Sequence, residues 1–228
     1  MKALLPVPVF DAIAGDLRRC GNRAHRDWEA NQAHEDSLTG AAFADFRTRR
    51  TRRVHVDGQE WLWRVTTRKF GSGGPQSEER LTGADGIIEI EVRHTATGRI
   101  ESKGPLVQAK KNWARKNTRL FGQVGDMGRL APGSSAALDY SQTGYTGIDG
   151  RSVLVAEGDR RHLDDTQDVP LGDLLADRFL SCKVGLRGLY YEPRRRVLHL
   201  PSSASRPEAI SILIAERMRL EIEETRGA

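Results

Sequence analysis

Cysteine is nearly absent. Cys20 and Cys182 are the only two in 228 residues, too few and too far apart for a disulfide framework or a zinc knuckle, so both are expected to be buried thiols. Long apolar runs are missing as well. Nothing approaches the roughly 20 consecutive apolar residues of a membrane helix, and the opening MKALLPVPVF is interrupted by prolines before a signal-peptide core could form. The expected compartment is the cytoplasm, with no membrane partner. No GxxxxGK[ST] occurs, which excludes a P-loop, so an ATP-driven motor acting with this protein must be another chain. Internal repeats and low-complexity tails are lacking too.

What is present is the composition of a globular protein: 38% hydrophobic and 29% charged residues, with a mean hydropathy of −0.55, in a chain long enough for an extensive core. A formal charge of +5 and a pI near 9.5 lean toward a polyanionic partner, because Lys and Arg contacts to phosphate supply most non-specific nucleic-acid affinity. One domain over residues 1–228 is expected, with a helical part at 1–50, hairpins and a basic helix at 51–125, and further strands and helices at 126–228.

Residues 10–49 carry a helical pattern, broken near 20–22. VHVDGQEWLWRV changes to period two around Asp57-Gly58, a hairpin turn signal. GSGGPQSEER reads as a loop, followed by an apolar strand from Ile87 to Val92 and a turn at Thr97-Gly98. KKNWARKNTRLFGQVGDM reads as a cationic helix, 128–135 as a connector, and AALDY, SVLVA and RVLHL as short strands. A helix is expected within VPLGDLLADRFLSCKVG. Another closes the chain, with Ser205 and Glu208 at capping-box spacing, Pro207 in the first turn, and Ile210, Leu213, Ile214 and Ile222 on a face suited to core packing or a homodimer seam.

The stretch GPLVQAKKNW, 104–113, begins as an apolar strand and then places Gln108 and Lys110 on one face, about 7 Å apart. A turn centred on Thr97-Gly98 makes paired residue numbers sum to about 195, which sets Asp85 across from Lys110 with Gln108 one step away. Asp85, the Gln108 amide oxygen and the backbone carbonyl between Gln108 and Lys110 are hard oxygen donors of the kind that hold Mg²⁺ or Mn²⁺. A metal held there supplies Lewis acidity and a nucleophile for phosphodiester hydrolysis, and Lys110 would position or deprotonate the attacking water. The plain alternative is a cross-strand ion pair worth little at a surface. Asp85 and Lys110 are both expected to point off the core, so truncating either should leave thermal unfolding unchanged.

The order of these residues resembles the PD-(D/E)XK, or restriction-endonuclease-like, nuclease superfamily. GAD at 83–85, an apolar strand, a turn and LVQAK at 106–110 match its pattern in the Gln-x-Lys variant. HEDSLTGAAF is similar to the NEDSLTGAL openings of Gln-x-Lys nucleases in bacterial anti-phage defence, which points to Glu35 rather than Asp36 as the acid on the preceding helix. The resemblance implies an α/β fold with a central mixed β-sheet flanked by helices. It also implies Mg²⁺- or Mn²⁺-dependent cleavage of DNA in defence against foreign or phage DNA, with Glu35, Asp85 and Gln108 at the metal and Lys110 at the water or the transition state. A partner ATPase or other defence subunit would be a separate chain. Gln108 departs from the commoner glutamate, and this keeps open an inactive nucleic-acid-binding module or an interaction subunit.

Further cations surround this centre. RTRRTRR at 47–53 holds five arginines in seven residues, among them Arg49, Arg50, Arg52 and Arg53, and reads either as a phosphate-tracking edge or as a solvated face. Lys111, Arg115, Lys116 and Arg119 follow the centre at helix-compatible spacing and are assigned to phosphate contact. Trp61 and Trp63 share a strand face that suits a core better than base stacking. His34 is the only histidine near the proposed chemistry, and a core or surface role outweighs a catalytic one for it.

Overall fold

The computed structural model describes residues 1, 4–74 and 77–201. Helix α1 (Val7–Ala24) starts directly behind Pro6, and Pro8 is tolerated in a first turn whose amides have no helical acceptor. It begins before Phe10 and does not break at Cys20. The interruption comes later, at a 3-10 turn (His25–Asp27) and a short α2 (Trp28–Asn31), ahead of α3 (Glu35–Phe46).

Strands β1 (Arg52–Val56) and β2 (Gln59–Lys69) meet at Asp57 and Gly58, whose φ values of 51° and 74° make the expected two-residue hairpin. The second half of the stretch read as a loop is α4 (Glu78–Thr82). Ser77 caps it by accepting from the Arg80 amide, and Gly83 closes it in the left-handed region at φ 72°. Then follow β3 (Gly86–His94), β4 (Ile100–Gly104), β5 (Leu106–Lys111), α5 (Thr118–Leu130), β6 (Ser135–Ser141), β7 (Gly144–Asp149) and α6 (Gly150–Val155). β8 (Val169–Pro170) leads into α7 (Leu171–Asp173), which continues as a π-helical turn over Leu174–Phe179, and β9 (Leu186–Arg187), β10 (Tyr190–Glu192) and β11 (Val197–His199) complete the elements.

Two element types differ from expectation. SVLVA is helical, because Asp149 accepts from the Ser152 amide at 3.0 Å and nucleates α6 despite the β-branched residues. The cationic helix begins only at Thr118, behind an Asn117 cap, so Lys111 ends a strand and Arg115 and Lys116 lie in a loop. The Ser205–Ile222 helix lies outside the described residues. Cys20 is buried as expected, whereas Cys182 is exposed.

Nine strands form one sheet in the order β1-β2-β3-β5-β6-β7-β8, with β4 paired to β3 and β9. The β5–β6 pairing is parallel and the others are antiparallel, so the sheet is mixed. Strand alternation sends Ile88, Ile90, Val107, Ala109 and Leu138 to one face against α1, α3 and the π-helical turn. Ile87, Leu106, Ala137 and Ile148 go to the other, beneath α5 and α6. The protein is therefore α/β with a central mixed sheet flanked by helices. Among the described residues no helix is long and apolar enough to cross a membrane.

Pro105 creates the feature that matters most. It has no amide donor and separates β4, which pairs with Ile90–Arg93, from β5, which pairs with β3 only at Gly86 and Ile87. Beyond that point β3 has ended, and β5 runs on beside β6 with its other edge bare of strand partners.

Candidate metal centre

The bare edge of β5 is capped by two carboxylates. Asp85 Oδ2 accepts from the Ala109 amide at 2.7 Å and from Gln108 Nε2 at 2.8 Å, and the Asp85 amide itself donates to the Val107 carbonyl at 2.9 Å. One strand step further, Glu35 Oε2 accepts from the Lys111 amide at 2.9 Å, while its Oε1 takes Lys110 Nζ at 3.0 Å. Lys110 Nζ also donates to the Ala109 carbonyl at 2.7 Å. Asp85, Gln108 and Lys110 thus meet at the backbone amide and carbonyl of Ala109, and Glu35 joins them through Lys110 and the Lys111 amide. Helix α3 contributes Glu35 from its first turn, and the Gly83 cap of α4 turns the chain into Asp85.

The register differs from expectation by two residues. Gly86 pairs with Val107, which sets Gln108, not Lys110, next across from Asp85. The reason is Gly98: at φ 67° it closes the turn instead of sitting at its centre, and the hairpin axis moves back by one residue. Lys110 accordingly takes Glu35 as its ion partner. Asp85 is also buried, at 9% exposure, rather than pointing off the core.

Burial pushes the Asp85 carboxyl up to about 6, against the Ala109 amide and the Lys110 charge, which pull it down. The folded chain therefore holds this proton to a higher pH than the unfolded chain, whose carboxyl titrates near 3.8. For this group alone, the metal-free fold loses stability as pH rises from about 4 to about 6 and changes no further above that. Asp85→Asn removes that slope. Urea unfolding without metal should therefore favour the Asn variant over wild type more strongly at pH 7.5 than at pH 4.5, and equal differences at the two pH values would contradict the assignment.

The donor set fits a hard divalent cation. Gln108 is 1% exposed, and its Oε1 is buried without a hydrogen-bond partner while its Nε2 is engaged. The Nε2 donates to Asp85 Oδ2 and, at 3.4 Å, to the Ala109 carbonyl, and a turn of the amide would set the orphaned oxygen beside that carboxylate and carbonyl, the set an oxygen-ligated Mg²⁺ or Mn²⁺ would use. Among the described residues no cluster of three or more His, Cys, Asp or Glu side chains gathers as a ligand set. The fork instead combines Asp85 and Glu35 with neutral oxygens.

The surrounding cations separate. Lys111 Nζ donates to the Gln32 carbonyl and lies 5.9 Å from the Trp28 ring centroid, so it serves the α2 side of the core. Lys116 pairs with Glu157 at 3.2 Å, and Arg119 in the first turn of α5 lies 3.7 Å from Glu79. Arg115 is exposed and has no ion pair among the described residues. Arg52 and Arg53 pair with Asp16 and Glu60 at 3.7 and 3.6 Å, whereas Arg49 and Arg50 are exposed with no ion partner among the described residues. Trp63 is in the core, and half-buried Trp61 packs on His94 with ring centroids 4.5 Å apart. His34 precedes α3, exposed and without a capping bond.

Sequence reasoning overlooked Arg64 and Arg68 on β2 and the Arg194–Arg196 tip of the β10–β11 hairpin. The alternation in WRVTTRK was the available signal for the first pair. No protein family, curated protein or solved structure matches this chain.

Proposed function

We propose that this protein is a metal-dependent deoxyribonuclease with its centre at the fork beside β5, acting in defence against foreign DNA. The observation that carries the reading is the buried Gln108 amide, whose Nε2 sits on Asp85 and the Ala109 carbonyl and whose Oε1 is unpartnered, so that a turn of the amide would bring an oxygen to a fork shared with Glu35 and Lys110. Asp85, Gln108 Oε1 and the Ala109 carbonyl would hold Mg²⁺ or Mn²⁺, with Glu35 at its outer side. When bound, the metal supplies Lewis acidity toward the scissile phosphate and neutralises charge that develops there.

The protein groups divide the remaining work. Lys110 Nζ, released from Glu35 and the Ala109 carbonyl, donates to the attacking water or to a phosphoryl oxygen as its charge grows. Glu35, freed of Lys110, accepts a proton from the water as it attacks phosphorus, the P–O bond to the leaving strand end breaks, and the departing oxygen takes its proton from solvent, while the hold of Glu35 on the Lys111 amide keeps it in place. The defence setting rests on the resemblance of the Asp85, Gln108, Lys110 and Glu35 segments to anti-phage nucleases.

A second reading is favoured by one feature, the neutral amide at position 108, which lowers the charge available to a cation. On that reading the fork is a structural polar knot and the chain binds nucleic acid without cutting it. Incubating the purified protein with supercoiled plasmid in Mg²⁺, Mn²⁺ or EDTA separates the two. Nicking in either metal that disappears in EDTA is the expected result, and intact plasmid in both metals with retained DNA binding would favour the binder.

A further inference from the structure

A groove of about 450 Å³ runs along β2 on the face to which Arg64, Thr66 and Arg68 project, and none of its lining residues belongs to the fork. Its lining holds Arg47, Arg49, Arg50, Arg64 and Arg68 and a single carboxylate, Glu89. Arg64 and Arg68 project from one face of β2 with Thr66 between them, because they pair with Glu91, Ile87 and Glu89, which share the strand parity of Asp85. The segment 47–51 forms one wall, pinned to β2 by the Thr48 amide on the Val65 carbonyl at 3.0 Å and by Arg47 Nη2 on the Thr67 carbonyl at 3.1 Å.

The opposite wall is the β10–β11 hairpin. Tyr191 fastens it: its amide donates to Glu89 Oε1, its hydroxyl donates to Glu78 at 2.9 Å, and Arg68 lies 5.5 Å from its ring centroid. The hairpin tip carries Arg194, Arg195 and Arg196. Arg196 is tied to Glu78 at 2.9 Å and Arg195 lies 3.4 Å from Glu192, while Arg194 is exposed with no ion pair among the described residues. Arg64 pairs with Glu91 at 3.2 Å, which leaves Arg47, Arg49, Arg50 and Arg68 without an ion partner among the described residues, and the one acid in the lining does not offset them. Both Glu89 oxygens are committed, to the Tyr191 amide and the Thr66 hydroxyl, and burial raises its pKa.

We infer that this groove binds a single strand of DNA by its phosphates and leads it toward the fork. The inference rests on the nuclease reading for its direction, though not for the binding itself. Three properties select a strand. The two arginines that β2 presents, Arg64 and Arg68, stand four residues and about 13 Å apart, a spacing set by the pleat and of the order of two nucleotide steps. The volume of about 450 Å³ is that of a small-ligand pocket, room for a nucleotide or two of one strand and too little to seat a double helix. Glu89 lies four residues along β3 from Asp85, about 13 Å, so a strand seated on Arg64 and Arg68 has a short path to the centre. No exposed aromatic side chain lines the groove, so recognition is of the backbone and not of base identity.

The test is a fluorescence-anisotropy titration in EDTA at several salt concentrations, with a labelled single-stranded oligonucleotide and the duplex of the same sequence. Arg49→Gln/Arg50→Gln removes two exposed wall cations that have no ion partner among the described residues, and Arg52→Gln/Arg53→Gln removes neighbours paired outside the groove. The groove variant is expected to weaken single-strand binding about tenfold and to flatten the salt slope by about 1.4, at about 0.7 per lost phosphate contact. The control variant should change single-strand affinity less than about twofold. Equal losses in the two variants, or no loss in the groove variant, would overturn the groove assignment, as would binding of the duplex alone. Because EDTA removes the chemistry, groove-dependent binding by a protein that cuts in no metal would overturn the nuclease reading and leave the groove intact. Metal-dependent cutting with binding indifferent to Arg49 and Arg50 would do the reverse.

Discussion

Asp85→Asn is expected to lower plasmid cleavage at least about a hundredfold while the protein remains folded, on the scale seen when a group that stabilises transition-state charge is removed. Asparagine is the informative substitution because it keeps an oxygen to accept from the Ala109 amide, which Asp85 Oδ2 holds at 2.7 Å. Alanine would leave that buried amide without a partner, at about 1–3 kcal/mol, so a loss of activity in Asp85→Ala would confuse chemistry with folding. Lys110→Met should match the loss without unfolding the chain. Glu35 Oε2 stays on the Lys111 amide, and its Oε1 can turn to solvent because the Glu35 side chain is 36% exposed. Initial rates of nicking, set beside circular dichroism of each variant, check the pair. Near-normal cleavage in either one would remove that residue from the centre.

Gly86→Ala is expected to have the largest effect on stability. A Cβ at Gly86 would lie 2.2 Å from the Arg68 carbonyl oxygen and 2.5 Å from the Phe43 ring, so β2, β3 or α3 must move. Overpacking of this kind costs about 3 kcal/mol, or about 6–12 °C in Tm for a chain of this length. The shift falls on the residue after Asp85, and cleavage should drop with stability. Gly40 in α3 is the control, since a Cβ there meets nothing within 4 Å. Gly40→Ala should leave Tm unchanged or raise it slightly, as alanine is the better helix residue. Thermal unfolding of the two variants decides the matter, and a Gly86→Ala protein as stable as wild type would show that the contact between α3 and β3 yields easily.

The parts of this fold that were legible in the sequence are those where a local rule and the tertiary structure agree. Asp57-Gly58 announced its hairpin because only a few residues tolerate positive φ at both turn positions. Asp85, Gln108 and Lys110 could be grouped because a hairpin folds its own neighbours together. Glu35 lies 75 residues from Lys110 and came only through the resemblance of its segment to other proteins.

The misreadings came from contacts that local pattern does not contain. SVLVA has strand propensity, yet the Asp149 cap makes it helical, and Gly150 sits where a Cβ would collide with Ser135 on β6. The cationic helix was drawn too early because charge spacing is compatible with helix, whereas the Lys111 amide is held in strand geometry by Glu35. The burial of Asp85 was invisible for the same reason. It depends on α3, α4 and β5 closing around one strand end, which no periodicity in residues 83–94 records. The arginine groove joins residues 47–51, 64–68, Glu89 and 191–193, four segments that only the tertiary fold brings together.

The most direct measurement of the central claim is anomalous X-ray scattering from crystals grown above pH 7 and soaked in Mn²⁺. One strong peak is expected within bonding distance of Asp85, Gln108 Oε1 and the Ala109 carbonyl, absent from Asp85→Asn crystals treated in the same way. A fork without a peak, in a protein that cuts plasmid only when Mn²⁺ is present, would contradict that claim.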